Sequence, residues 1–192
     1  RGSRIYEVMY SMPMAVASAP ASVIWFMLLS SGQNGVVNWI LNSEIRWLLD
    51  AKTALIAVAI VTVWLTIGAT FIFLLTGFRN VPTELIESSR IDGAGYFTRL
   101  FRIMTPIATP QIFFVVFLDI VTSFQAFAQI RLLTPNGGPS YSTNVLIYSI
   151  YQSAIRDSRY ETAFTQSIVL FLIILVITLI QFKTEDKVVY YQ

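Results

Sequence analysis

Asp119 is the one charged residue in an apolar run that extends from Ile107 to Ile130. A carboxylate inside hydrocarbon is costly, so it points to function by default. It lies twelve residues past Ile107, about 18 Å at the rise of a helix. Thr122 and Ser123 share its helical face, and Ala126 continues that face with a small side chain. A second run holds an i,i+4 pair, Thr62 and Thr66, with Leu65 and Ala69 alongside. A carboxylate and hydroxyls suit a neutral sugar, whose OH groups donate to Asp and accept from Thr. They suit a phosphate poorly, because Asp119 repels it unless a base intervenes. Two plainer roles stand beside this one. Threonines in a span often bond their own helix backbone, and a lone Asp can pair with a basic residue on another helix.

The densest pattern of polar and special residues is VPTELIESSRIDGAGYFTRLFRIMTP, residues 81–106. Pro82 fits the first turn of a helix, and Glu84 and Glu87 are favourable near its positive end. Gly93 and Gly95 permit a sharp bend. An amphipathic stretch, 96–104, carries Phe97, Leu100, Phe101 and Met104 on one side, and Pro106 is expected to close it. The sum is a compact helix–turn–helix.

Other chemistry is excluded by composition. The 192 residues contain no Cys and no His, which removes thiolate and imidazole mechanisms and Cys/His zinc sites. No Gly-rich loop ending in Lys-Ser/Thr is present, so nucleotide hydrolysis is not expected of this chain. Hydrophobic residues make up 55% and charged residues 12%, with mean hydropathy +0.65. The pI of 9.0 reflects a net charge of only +2 and does not argue for nucleic acid.

The elements that must hold these groups are membrane spans. A core of about 30 Å needs about 20 apolar residues per helix. Four segments qualify: Val8–Ser30, Thr53–Phe78, Ile107–Ile130 and Thr162–Phe182. Pro13 and Pro20 are expected to kink or break the first. The fourth reads as lipid-facing. Four spans put both ends and the 79–106 loop on one side, with eight basic residues against five on the other, which places them in the cytoplasm. Outside, Val36–Leu49 reads as an interfacial helix with Trp39 and Trp47 at headgroup level. Pro135–Pro139 reads as a turn, followed by a helix over roughly 143–155. The first residue is Arg, so the chain is expected to begin within a longer protein.

The loop resembles the permease subunits of binding-protein-dependent ABC importers. Their signature is Glu-Ala-Ala, then Gly, Ile and Leu-Pro at fixed spacing. Here Glu87-Ser88-Ser89, Gly93, Ile103 and Pro106 stand at those positions, with Ser for Ala and Thr105 for Leu. IDGAG, the PNGGP turn and TNVLIYSIY look like the carbohydrate-uptake branch, which includes maltose and glycerol-3-phosphate permeases. The resemblance covers nearly the whole chain.

It implies an all-α, polytopic integral membrane bundle over 1–192, four spans of a six-span permease, with a cytoplasmic coupling-helix loop. Pro82–Arg90 would be the coupling helix seated on an ATPase subunit, with Glu87 pairing a basic residue there and Gly93 making the bend. Thr62, Leu65, Thr66, Ala69, Asp119, Thr122 and Ser123 would line the solute path, with a sugar or oligosaccharide favoured over glycerol-3-phosphate. The partners implied are a homologous second permease, an ATPase homodimer carrying ATP and Mg, an extracytoplasmic solute-binding protein and the lipid bilayer, with no nucleic acid. Tyr141, Tyr148, Tyr151 and Tyr160 would face the binding protein. The chain itself would bind no cofactor or metal and catalyse nothing, and its location would be a bacterial or archaeal inner membrane. The competing class is an ion-coupled secondary transporter using Asp119, which leaves the 81–106 loop unexplained. An intramembrane enzyme is remote, since a serine nucleophile would want a base.

Overall fold

The computed structural model describes residues 3–32 and 35–188. Arg1, counted above among the inner basic residues, lies outside them, as does the side chain of Lys187. Among the described residues the structure is helical, with no strand.

Two helices are single uninterrupted spans: α4, Ala54–Arg79, and α11, Tyr160–Val188. Neither contains proline, and both are apolar around their circumference, the pattern of a helix solvated by lipid and neighbours alike. The other two expected spans are broken. The first divides into α1, Ser3–Ser11, a 3-10 turn, Met12–Ala15, and α2, Ser18–Leu28, with a bend of 103°. The third begins with a helical segment over Tyr96–Ile107, opened by α6, Tyr96–Arg99, bends by 71°, and continues as α8, Thr109–Phe124. It ends there rather than at Ile130, because residues 125–127 leave the helix before α9, Ala128–Leu133. Ala126 therefore does not continue the Asp119 face.

Proline chemistry accounts for both breaks. A proline removes the hydrogen bond to the carbonyl four residues back and crowds it. Pro20 stands in the first turn of α2, and the chain is extended at Ala17 just ahead of it. Pro110 stands in the first turn of α8 and the break falls at Ala108; the orphaned Pro106 carbonyl accepts from Thr109 Oγ1 at 2.6 Å. The break thus belongs to Pro110, and Pro106, expected to close the amphipathic stretch, sits inside α7, Thr105–Ile107. Its own missing N–H is accommodated upstream by a π turn, Leu100–Met104, in which the Thr105 N–H and Oγ1 (2.8 Å) both donate to the Leu100 carbonyl.

Contacts fix the direction of the bundle. Glu7 pairs with Arg79, Tyr10 stacks on Phe71, Trp25 meets Trp64 edge-on, and Leu29 packs with Val58 and Val61. The broken first segment therefore runs from the Arg79 end of α4 to its Ala54 end. Gln181 near the end of α11 reaches the Phe113 carbonyl near the start of α8. The start of α1, the loop after α4 and the end of α11 share one side. The main apolar cluster (Leu29, Leu48, Ala57, Val58, Val61, Ile130, Leu133 and Tyr148) lies at the opposite end.

That end is tied by α3, Val36–Leu41, shorter than the expected 36–49 helix because Asn42 turns left-handed at φ 47°. Buried Asn38 holds the return: Nδ2 donates to the Ile45 carbonyl (2.8 Å), and Oδ1 accepts from Trp47 Nε1 (2.8 Å) and Ser43 Oγ. Trp39 faces outward while Trp47 turns into the packing. The later connection holds α10, Leu146–Tyr151, extended by a π turn, Gln152–Arg156. Tyr148 is buried, its hydroxyl accepting from the Asn136 N–H at 3.0 Å, so it cannot serve as the surface contact expected of it; Tyr141 and Tyr160 are exposed.

Candidate functional site

Asp119 comes to lie against α4. Gly77 allows the close approach: a Cβ there would stand 2.6 Å from the Gln111 Cβ. One helical turn up, Phe73 and Phe114 meet edge to face at 5.3 Å. Two turns above Gly77, Thr70 Oγ1 lies 3.1 Å from each Asp119 carboxylate oxygen. Beside this pair is a cavity of about 210 Å³, lined by Leu65, Thr66, Ala69, Thr70, Phe73, Val115, Leu118, Asp119 and Thr122.

Five of the seven residues expected along a solute path therefore share one cavity: Leu65, Thr66, Ala69, Asp119 and Thr122. Thr62 and Ser123 do not line it. Both bond their own helices, Thr62 Oγ1 to the Val58 carbonyl and Ser123 Oγ to that of Ile120. Thr66 and Thr122 also donate to their own helices, at the carbonyls of Val63 and Leu118. Thr70 was not anticipated. Its signal was present as the third member of the Thr62, Thr66, Thr70 series at intervals of four. A larger cavity of about 370 Å³ opens at the α1–α2 break, walled by Met9, Met12, Pro13, Trp25 and Trp64 among others. Its lining is apolar apart from the indole N–H groups of Trp25 and Trp64.

The second constellation forms a separate structure on the Arg79 side. Pro82 precedes α5, Thr83–Ile91, at φ −55°. The helix ends in a Schellman turn: the Gly93 N–H donates to Arg90, and the Ala94 N–H to Ser89. Gly93 occupies the left-handed position, φ +77°, with open space where a Cβ would point. The four-residue interval from Ser89 to Gly93 is the interval from the helical carbonyl that accepts the outer bond of that turn to its left-handed residue. Ser89 is buried, its hydroxyl closing on Ile86 (2.8 Å), while Glu87 and Ser88 are exposed. Ile103 lies in the π turn and Pro106 just after it, both half-buried. Leu85 and Ile91 in α5, and Tyr96, Phe97 and Phe101 in the segment that follows it, are exposed, Ile91 by 87%. Among the described residues no cluster of His, Cys, Asp and Glu is disposed to hold a metal.

The fold is a helical bundle with two helices, or four counting each bent pair as one, long and apolar enough to cross a membrane, and an exposed helix, α5, on one side. Residues 1–188 match the family described as binding-protein-dependent transport system inner membrane component, and the chain belongs to that family. It is 33% identical over 195 residues to the sn-glycerol-3-phosphate transport system permease protein UgpA of Yersinia enterocolitica, covering all of this chain and 66% of that one. The same figures hold for UgpA of Escherichia coli strain UTI89. The chain thus spans just under two thirds of the length of these relatives. Its fold is also that of a chain in the crystal structure of a bacterial ABC transporter involved in the import of the acidic polysaccharide alginate, with TM-score 0.83 and 21% identity over 97% of this chain and 66% of that one. A second structure, that transporter in complex with its alginate pentasaccharide-bound periplasmic protein, gives TM-score 0.85 and 22% identity over 96% and 65%.

Proposed function

We propose that this chain is a permease subunit of an ATP-driven importer for a sugar or oligosaccharide, without catalytic activity of its own. The observation that carries this is α5: a short helix with Glu87 exposed, ended by a fixed turn at Gly93, and placed between the two segments, α4 and α8, that share Asp119. A helix that stands clear of the bundle on a rigid turn can be gripped from outside, and movement imposed on it passes to both spans. In this reading an ATPase dimer, which carries ATP and Mg, receives α5 together with the apolar surface around it. A homologous permease closes the solute path from the other side. A binding protein delivers solute at the outer end, where Tyr141, Tyr160 and α3 are exposed. The location is the cytoplasmic membrane of a bacterium or archaeon. Relatives named for glycerol-3-phosphate transport and a fold shared with an alginate importer support the importer class.

The test is uptake into vesicles holding the full-length permease with its second permease and ATPase, supplied with binding protein and ATP. Glu87→Ala is expected to abolish uptake while the binding protein still captures solute. Normal uptake by this variant would remove α5 from coupling. Uptake driven by an ion gradient, with no nucleotide-hydrolysing subunit recovered in a pull-down, would favour a secondary transporter.

A further inference from the structure

We propose that α3 and the segment that returns from it form a headgroup site for a zwitterionic aminophospholipid of the outer leaflet, with Glu44 taking the ammonium and Arg46 the phosphate. The site concerns the bilayer, not the solute path, and stands apart from the importer reading. A cavity of about 370 Å³ opens here, lined by Asn38, Trp39, Asn42, Ser43 and Glu44. Its floor is fixed. Buried Asn38 commits its carboxamide to Ile45, Ser43 and Trp47, and Asn42 holds the left-handed turn. The Arg46 carbonyl is tied in turn, accepting from Thr53 Oγ1 at 3.0 Å. Among the described residues the Glu44 and Arg46 side chains have no hydrogen bond or salt bridge, even to each other. Two opposite charges are thus held on a rigid backbone and left open.

Burial alternates along this segment: Ser43, Ile45 and Trp47 are half-buried, Glu44 and Arg46 exposed. That is the alternation of an extended chain, which sets every second side chain on one face about 7 Å apart. An ammonium and a phosphate joined by two carbons fit between such a pair. The ammonium donates to the Glu44 carboxylate, and the phosphate accepts from the Arg46 fork. The margin of the site says what else the ligand carries. Val36, Trp39, Ile40 and Leu41 are exposed, Trp39 by 74%, and α4 enters its apolar run at Ala54, just after the return. An exposed indole and aliphatic side chains at that depth lie among headgroups and the first carbons of acyl chains. A saccharide would leave this apolar margin uncovered. A headgroup with a phosphate and no ammonium would meet the Glu44 charge unpaired.

The experiment uses the complete transporter in phosphatidylcholine nanodiscs, without ATP, solute or binding protein. Phosphatidylethanolamine or phosphatidylglycerol, each brominated near the top of its acyl chains, is titrated in. The quenching that belongs to Trp39 is the difference between wild type and Trp39→Phe. Half-quenching is expected at an about threefold lower mole fraction of the ethanolamine lipid, as for one exposed ion pair. Glu44→Gln should erase that preference. Arg46→Gln should raise the amount needed of either lipid, and Arg46→Lys should restore most of it. Equal quenching by the two lipids would reduce α3 to a non-selective interfacial anchor and overturn the proposal, as would a preference that survives Glu44→Gln. Trp39 emission that ignores both lipids and moves instead on adding binding protein or maltose would give the cavity to that partner. Should Trp39→Phe fail to fold, native mass spectrometry decides: wild type should retain one more ethanolamine lipid than Glu44→Gln, and equal retention sinks the site. The Glu87→Ala uptake assay reads neither result, so either reading can fail without the other.

Discussion

At the scale of single residues, hydrogen-bond partners decide what each polar group can do. Asp119 and four of the threonine and serine positions were readable from spacing, but their partners were not. The plainer role held for Thr62, Thr66, Thr122 and Ser123 as far as their hydrogens go, since all four close on their own helices. Among the described residues Asp119 has a neutral partner, Thr70. A pairing across 49 positions leaves no local trace in a sequence. The same holds for Asn38, an unremarkable letter that proves to be a buried hub. Asn38→Ala leaves the Trp47 N–H and the Ile45 carbonyl without a partner, and should cost roughly 2–3 kcal/mol. That cost would appear as a lower unfolding temperature in detergent together with a shifted tryptophan emission. Gly93 was legible because a left-handed turn demands it. Gly93→Ala should strain the end of α5 by about 1–2 kcal/mol and lower the solute imported per ATP hydrolysed. Gly93→Asn, which tolerates that conformation better, should be milder.

At the scale of elements, the lesson concerns proline. Hydropathy alone located α4 and α11 to within a few residues, since nothing interrupts them. It merged α1 with α2 because composition does not register a break, although Pro13 and Pro20 announced one. It overran α8 because Gln125-Ala126-Phe127 is apolar enough to pass for helix. The position of a break is set by the carbonyl four residues before the proline, so Pro110 rather than Pro106 ends the loop segment. Packing between elements is controlled by small residues. Gly77→Val would place a side chain into Gln111 and push α4 off α8. That change should lower the unfolding temperature in detergent. An unchanged unfolding temperature would mean that Gln111 swings aside.

For the whole molecule, sidedness is the sharpest consequence. Charge counting put the chain ends and the loop on the inner side, and the contacts bring α1, the loop after α4 and the last turns of α11 together. These 192 residues contain no cysteine, so within them single replacements report without background. Tyr96→Cys, beside α5, should react with an impermeant maleimide only from the cytoplasmic face, and Trp39→Cys, on α3, only from outside; both are well exposed. Reaction of both from one face would invert or abolish the arrangement.

The burial of the bundle is lopsided. Its buried apolar cluster and the Asn38 hub lie at one end, while the end near α5 is held by smaller contacts: an exposed ion pair, the Tyr10–Phe71 stack, Gln181 on the Phe113 carbonyl and the approach at Gly77. A body clamped at one extremity and loosely held at the other does not slide when pushed at the loose end; it pivots. Amide exchange should accordingly be slowest around Val61 and Ile130, and the widest excursions of α4 and α8 should occur where they approach the inner leaflet.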